Sequence, residues 1–452
     1  MSAIASSTTA TNRPRAIDTN LNRRPDYWIL AAVIGLCLMG LIMVYSASYA
    51  DALTSTNADN NPAYWALKHI QSMLTGFVLL VVFTVVPYPF WRRISVPAMG
   101  VTLLMLLLVL FGPEAIRPEI NGAHRWLQIG FSLQPSEICK LVLVLYVSDW
   151  LSQKGQKVRD LTYGLIPFGM VMGIIAFLVM RQPDMGTTMV LVAIGVTIFF
   201  IAGAHLIHFL ASMVMGGFVF YLLMFTASYR NTRLSAFLDP DSDPLGAGYH
   251  IGQARLALGS GGIFGQGLGA GRQKFGWLPE QFTDSIFAVL GQEWGFIGGM
   301  VLLALFALFI WRGTRVALRA RDSYGTLLAS GIIAWIGVQA LINIGSVSGA
   351  IPFTGIPLPL ISYGGTSLTV TLAGVGLLLN ISRYQLATRR SAAGSPTGGP
   401  LLTLEKRPWR ERLHLTERLG RVRRSRVRAM PATRAARHVW RPPARDRIDR
   451  DL

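Results

Sequence analysis

The chain has 452 residues, 52% of them hydrophobic and only 14% charged, which excludes an ordinary soluble domain. Its formal charge of +19 suggests a nucleic-acid partner until the charge is located: residues 383–452 hold 19 Lys and Arg against 6 Asp and Glu, so +13 of it belongs to the C-terminal tail. Cys37 and Cys139 both lie in apolar stretches, as buried inert thiols do, and argue against a disulfide or a metal centre.

Residues 1–26, with Arg13, Arg15, Arg23 and Arg24, read as an uncleaved cytoplasmic leader, because no short apolar region with a small-residue cleavage site follows. Beyond them, apolar runs recur, each long enough to cross about 30 Å of hydrocarbon. The expected fold is an all-α polytopic integral membrane protein. Ten spans are predicted, near residues 27–47, 67–86, 94–111, 136–151, 161–180, 188–202, 205–225, 284–311, 324–347 and 366–382. Together they make a membrane domain over 27–383. Arg92–Arg93, Lys154–Arg159, Arg312–Arg321 and both ends are basic, which places both termini in the cytoplasm. Loops 48–66, 112–135, 226–283 and 348–365, with the short RQPDMGTT turn, then face outward. The stretch 226–283 is the large extracellular loop, between the seventh and eighth spans. Residues 384–452, rich in Arg, Pro, Gly and Ser, read as a disordered cytoplasmic tail lying on anionic lipid, worth roughly 1 kcal/mol per basic residue near the surface. No nucleic-acid partner is expected.

The unusual polar motifs all fall on the outer side. In LPEQFTDSIFAVLGQEWGFIGG (278–299), Glu280 and Asp284 lead directly into an apolar helix. A carboxylate buried in a bilayer helix costs about 2.5–3.5 kcal/mol even on the insertion scale, so such groups usually face a cavity and act there. The bland alternative is an N-cap, with Thr283 or Asp284 satisfying the helix's free N–H groups. Both readings stay open on these residues alone. NGAHRWLQIG carries Arg125 and Trp126 beside the outer interface, where Trp commonly anchors headgroups. Glu137 and Lys140 stand i,i+3 at the top of the fourth span; they either neutralise each other or face a polar cavity. Asp184 in RQPDMGTT and Arg233 in YRNTRLSAF add charge near the same surface. In IPFTGIPLPLISYGGTS, which includes Ser362, prolines and glycines break helix geometry, a break tolerated at membrane depth where it lines a protein-walled cavity. The glycine-rich stretch 259–276 is no phosphate loop, since no strand precedes it and no GK[ST] ends it. Its glycines let the loop fold back onto the membrane, and Arg272 and Lys274 read as solvated charges. Collectively the motifs outline an outward-facing cavity holding Asp284, Glu280, Glu137, Lys140, Arg125 and Arg233.

Seven of these stretches, in one order, resemble the SEDS family (shape, elongation, division and sporulation), the group of FtsW and RodA. They are NGAHRW, QPSEICK, QPDMGTT, FLDPDSDPLGAGYHIGQ, ALGSGGIFGQGLGAGRQKF, LPEQFTDSIFAVLGQEWG and IPLPLISYGGTS. The resemblance implies ten spans and a peptidoglycan glycosyltransferase that polymerises lipid II at the bacterial plasma membrane. It makes Asp284 the essential aspartate. Trp126, Glu137 and Lys140 fall on family motif positions, and with Arg125, Asp184, Arg233, Glu280 and Ser362 they form the expected substrate-binding set. Phe282 stands where the family usually has histidine, and Gln292 where it has the first of two glutamates. RQKF and IPFTG resemble the FtsW division branch, GYHI and LISYGGT the RodA elongation branch, and the balance falls to division. A class B penicillin-binding protein is the implied partner, alongside other division or elongation proteins.

Chemically, polymerisation needs a base for the acceptor's 4-hydroxyl, a role given to Asp284, and cations for the departing polyprenyl pyrophosphate, for which Arg125, Lys140 and Arg233 are candidates. A divalent cation, Mg or Mn, could assist there, although no dedicated ligand cluster is visible. Two rivals remain: a lipid II flippase or transporter, and a non-catalytic scaffold of the division machinery.

Overall fold

The computed structural model describes residues 24–55, 60–120, 122–225, 228–246 and 248–384. The leader up to residue 23 and the tail from residue 385 lie outside the described residues, so the expectations for them rest on sequence alone. Among the described residues, twelve α-helices run in chain order: α1 (Tyr27–Thr54), α2 (Tyr64–Val85), α3 (Tyr88–Phe111), α4 (Pro135–Lys154), α5 (Ile166–Met180), α6 (Met185–Ile201), α7 (Leu206–Phe225), α8 (Ser228–Leu238), α9 (Tyr249–Gly261), α10 (Ile286–Leu318), α11 (Ser323–Val347) and α12 (Gly365–Arg383). A π-helical turn, Leu161–Leu165, extends α5 at its start.

Seven of these units are long and apolar enough to cross a membrane: α1, α2, α3, α5 with its π-turn, α10, α11 and α12. The fold is therefore that of an all-α, multi-pass membrane protein. α6 is apolar but shorter. α4 carries Glu137, Lys140, Asp149 and Lys154, which lower its hydropathy.

α12 is the hub. It is almost wholly buried, packed along α2 and touching α4, α10 and α11. Small residues allow the close approach to α2, as in other membrane helix pairs. A Cβ on Gly376 would stand 2.5 Å from the Leu80 carbonyl oxygen, and one on Gly76 2.5 Å from Leu372 Cδ1. Asn380 then closes the C-terminal end of α2, its Nδ2 donating to the carbonyls of Phe83, Thr84 and Val86. Those carbonyls have no intrahelical partner, and in hydrocarbon they would be costly to leave bare. At the start of α1, the Asp26 carboxylate caps the N–H groups of Trp28 and Ile29 and pairs with Arg312 at the end of α10.

Three predicted boundaries need correction. The first helix runs on to Thr54, past the expected end at residue 47. The loop 226–283 holds two helices, α8 and α9, too short and too polar to register as membrane-length apolar runs. The predicted span 284–311 is instead a helix from Ile286 to Leu318, broken at Gly295, where φ is 67°. The stretch 112–135 contains two small hairpins, β1 (Glu119–Ile120) with β2 (Ala123–His124), and β3 (Leu127–Gln128) with β4 (Ser132–Leu133).

Candidate active site

The turn before α10 is built to hold one carboxylate. Ser285, not Asp284 or Thr283, is the N-cap residue of α10, and it makes no side-chain capping bond. The capping explanation for Asp284 therefore fails. Backbone carbonyls on three successive residues of this turn are each gripped from the 343–363 region. Tyr363 N–H donates to the Phe282 carbonyl (2.9 Å), Ser362 Oγ donates to that of Thr283, and Asn343 Nδ2 donates to that of Asp284 (2.7 Å). Asn343 also donates to the Ile356 carbonyl (2.7 Å), and Leu358 N–H donates to Ser362 Oγ (2.8 Å), so the gripping loop is itself fixed. From the other side, His250 Nε2 lies 2.8 Å from Ser285 Oγ, which donates to the Pro279 carbonyl. Phe282 is anchored among Trp65 and Tyr363, with ring centroids 5.4 and 5.6 Å away.

This clamp leaves the Asp284 side chain half-buried, and among the described residues no donor bonds its carboxylate. Its Oδ2 and the Arg233 guanidinium flank Gly355: a Cβ there would stand 3.5 Å from Oδ2 and 3.8 Å from Arg233 Nη1. Gly355 has φ of 70°, so the position suits glycine twice over. Burial, reinforced by the negative charges of Glu280 and Asp184, pushes the Asp284 carboxyl up to about 7, against the opposing pull of Arg125 and Arg233. A carboxylate that exchanges its proton near neutrality, without an internal hydrogen-bond partner, is equipped to act as a base.

Asp284, Glu280, Asp184, Arg125 and Arg233 are thus brought into one electrostatic neighbourhood. Arg125, beside Trp126 in the link from β2 to β3, donates through Nε to the Gln182 carbonyl (3.1 Å) and through Nη2 to that of Pro183 (2.7 Å). It thereby pins the turn whose Asp184 caps α6 through the Thr187 N–H. Trp126 is half-buried. Arg233 donates to the Phe353 carbonyl and lies 5.7 Å over that ring. Glu280, at φ of 50°, accepts from Thr283 Oγ1.

Three expected substrate-binding residues do not face the site. Lys140 and Glu137 are each 1% exposed and 2.7 Å apart, and Lys140 also donates to Gln339 Oε1 (2.8 Å). Both belong to α4, and Lys140 ties the pair to α11 through Gln339, because the i,i+3 face they share turns into the bundle. Ser362 is buried, and its hydroxyl is committed to the Thr283 carbonyl and the Leu358 N–H. It positions the turn. Lys274 overturns a further expectation: far from solvated, it is buried and 2.7 Å from Glu293, with Ser46 bonded to both.

Sequence reasoning missed Asn343 and His250. Asn343 gave no signal within an apolar helix, where a lone amide is easily taken for a tolerated polar residue. His250 lies in GYHI, a stretch noticed only as a motif. Burial and the nearby Arg233 lower its imidazole to about 4, so it is neutral beside Ser285. The described residues contain no cluster of three His, Cys, Asp or Glu able to hold a metal ion.

Residues 27–387 match the family described as cell cycle protein, which groups FtsW, RodA and SpoVE. The chain is 41% identical over 359 residues to a probable peptidoglycan glycosyltransferase FtsW of Trichlorobacter lovleyi, covering 79% of this chain and 93% of the relative. It is 42% identical over 371 residues to stage V sporulation protein E of Bacillus subtilis, covering 81% and 99%. Among solved structures it is similar to a chain of a complex described as a peptidoglycan synthase that coordinates polymerization and crosslinking (TM-score 0.64, 27% identity, covering 80% of this chain and 98% of that one). It is also similar to the rod shape determining protein RodA of Thermus thermophilus (TM-score 0.59, 26% identity, covering 80% and 98%). By sequence over most of its length and by fold, this chain belongs to the FtsW/RodA/SpoVE family of cell cycle proteins.

Proposed function

We propose that this protein is a peptidoglycan glycosyltransferase that polymerises lipid II, with Asp284 as the general base. Asp284 takes the proton from the acceptor's 4-hydroxyl as that oxygen attacks the donor's anomeric carbon. The bond from that carbon to the polyprenyl pyrophosphate breaks on the opposite face, with inversion. Arg125 and Arg233, the two guanidiniums whose charge reaches Asp284, stabilise the departing pyrophosphate. Lys140 drops out of that role because it is committed to Glu137 and Gln339. What carries this reading is the Asp284 carboxylate: clamped through its backbone, without a donor among the described residues, and pushed up to about 7.

The chain crosses the membrane ten times, with both termini cytoplasmic and the site opening outward, where lipid II and the growing glycan meet. The division branch is the preferred setting, with a class B penicillin-binding protein supplying crosslinking and other division or elongation proteins alongside. A divalent cation, Mg or Mn, would have to arrive on the pyrophosphate with help from one or two carboxylates such as Asp184, since the described residues offer no three-ligand cluster.

The test is purified protein with labelled lipid II, with and without its penicillin-binding partner, comparing wild type with Asp284→Ala. Polymer from the wild type and none from the variant supports the base assignment; equal polymer from both overturns it. Lipid II translocation with no polymer under any condition would make the protein a flippase. Normal partner assembly and cell growth with Asp284→Asn would make it a scaffold.

A further inference from the structure

The segment leading to the active-site turn runs down along α10 and comes back. At one level His250 of α9 meets Ser285; ten residues further on, Ser260 Oγ accepts from Gln292 Nε2 (3.1 Å). α9 therefore descends beside the first half of α10 in the same direction. The chain then turns at the level where α10 is broken. Gln266 and Gly267 donate to the carbonyls of Gln292 and Glu293 (3.0 and 3.1 Å), while Phe296 and Ile297 donate to those of Gly262 and Ile263 (2.9 and 3.2 Å). The seam admits no side chain, since a Cβ on Gly265 would stand 2.2 Å from the Glu293 carbonyl oxygen and one on Gly295 2.3 Å from Gly265 N. The return limb is fastened by Lys274, buried against Glu293 and Ser46, and climbs to Asp284.

The depth of the turn follows from helix length. The Arg312–Asp26 ion pair, six residues before the end of α10, marks the opposite boundary, at which α1 also begins. Fifteen residues separate Ile297 from Arg312, about 22 Å at roughly 1.5 Å per residue, against a hydrocarbon thickness of about 30 Å. The seam at Gly262–Gly267 therefore lies inside the hydrocarbon span. Two independent features agree. The side chains at the tip are apolar and uncovered, Ile263 at 63% and Phe264 at 80% exposure, and Leu268 beside them is exposed. They continue the exposed apolar strip of α10 formed by Phe296, Ile297 and Met300. The irregular backbone has also found partners on α10, as non-helical chain at membrane depth must. Four polar residues of the hairpin, Ser260, Gln266, Arg272 and Gln273, gather with Gln292 around a cavity of ≈ 460 Å³.

We propose that residues 249–277 form a re-entrant hairpin whose tip, Ile263–Phe264, is embedded among the acyl chains of the leaflet on the side of the active site. This placement does not depend on the reaction proposed above.

The experiment is site-directed spin labelling in lipid nanodiscs of phosphatidylethanolamine and phosphatidylglycerol. Ile263→Cys and Phe264→Cys are labelled with a nitroxide, wild type with its buried Cys37 and Cys139 gives the background, and collision rates are measured with oxygen and with a water-soluble nickel chelate. Met300→Cys on α10 is the lipid-facing reference and Leu245→Cys, in the loop before α9, the water-facing one. The expected result is that positions 263 and 264 behave as Met300→Cys does, accessible to oxygen and shielded from nickel. Nickel accessibility equal to that of Leu245→Cys overturns the proposal. Shielding from both reagents overturns it too, because it means that protein rather than lipid covers the tip. Two adjacent positions keep the test decisive if one variant fails to accumulate.

Discussion

Two charged clusters in this protein look alike in sequence and differ in what the fold lets them do. Glu137 and Lys140, with Gln339, are sealed 1% exposed inside the bundle and bond to one another. Asp284, with Glu280, Asp184, Arg125 and Arg233, is equally rich in charge, yet among the described residues its carboxylate has no donor and is held through its backbone. In the first, each charge is spent on its neighbour, and the net gain over an apolar pair is small. In the second, the surrounding charges tune one group without neutralising it.

The sharpest way to break this contrast is Asp284→Asn, which keeps the clamp and removes the proposed base. Polymerisation measured with labelled lipid II should fall about 10²–10⁴-fold with thermal stability unchanged. Comparable loss of activity from Lys140→Met at unchanged stability would erase the distinction. The expected result is different: Lys140→Met strands the Glu137 charge and should cost about 3–5 kcal/mol, read as a lowered Tm in detergent, whereas the double variant Glu137→Met/Lys140→Met should recover most of it.

The clamp can be tested separately. Asn343→Leu leaves the Asp284 and Ile356 carbonyls unpaired and should cost about 1–3 kcal/mol for each buried group, with kcat falling more than KM rises. Ser362→Ala removes one grip and should do the same more mildly; a pure KM effect would restore Ser362 as a substrate ligand.

The smallest effects concern tuning. In the proposed mechanism the base is the ionised form of Asp284, so the rate should rise with pH through about 7 and level off above it. Glu280→Gln removes a charge that raises this group, and the rising limb should move to lower pH. Arg233→Gln removes a charge that lowers it, and the limb should move to higher pH. A limb that stays put in both variants would mean that another group controls the profile.

The motif residues were legible because chemistry restricts them: Asp284 and Glu280 stand out from an apolar run, and Arg125, Asp184 and Arg233 stand out from short polar turns. The apolar periodicity likewise gave the membrane class, since crossing hydrocarbon demands length and composition that a chain cannot hide. Which charges are free was illegible. The i,i+3 spacing of Glu137 and Lys140 says only that they share a face, and whether that face meets a cavity or α11 depends on the packing of helices distant in sequence. The same holds for Lys274, whose partners are Glu293 and Ser46.

By itself, then, the sequence determined a bundle of apolar helices with polar motifs gathered between them, because hydrophobic length and the cost of membrane charge are local properties. Only the tertiary structure decided that Asn343, Ser362 and Tyr363 would converge on three successive carbonyls, that α10 would break at Gly295 to receive the Gly262–Gly267 turn, and that Asp284 would be left without a donor among the described residues. Those outcomes depend on hydrogen bonds and close approaches between segments tens to hundreds of residues apart, and such partners are chosen by the fold as a whole.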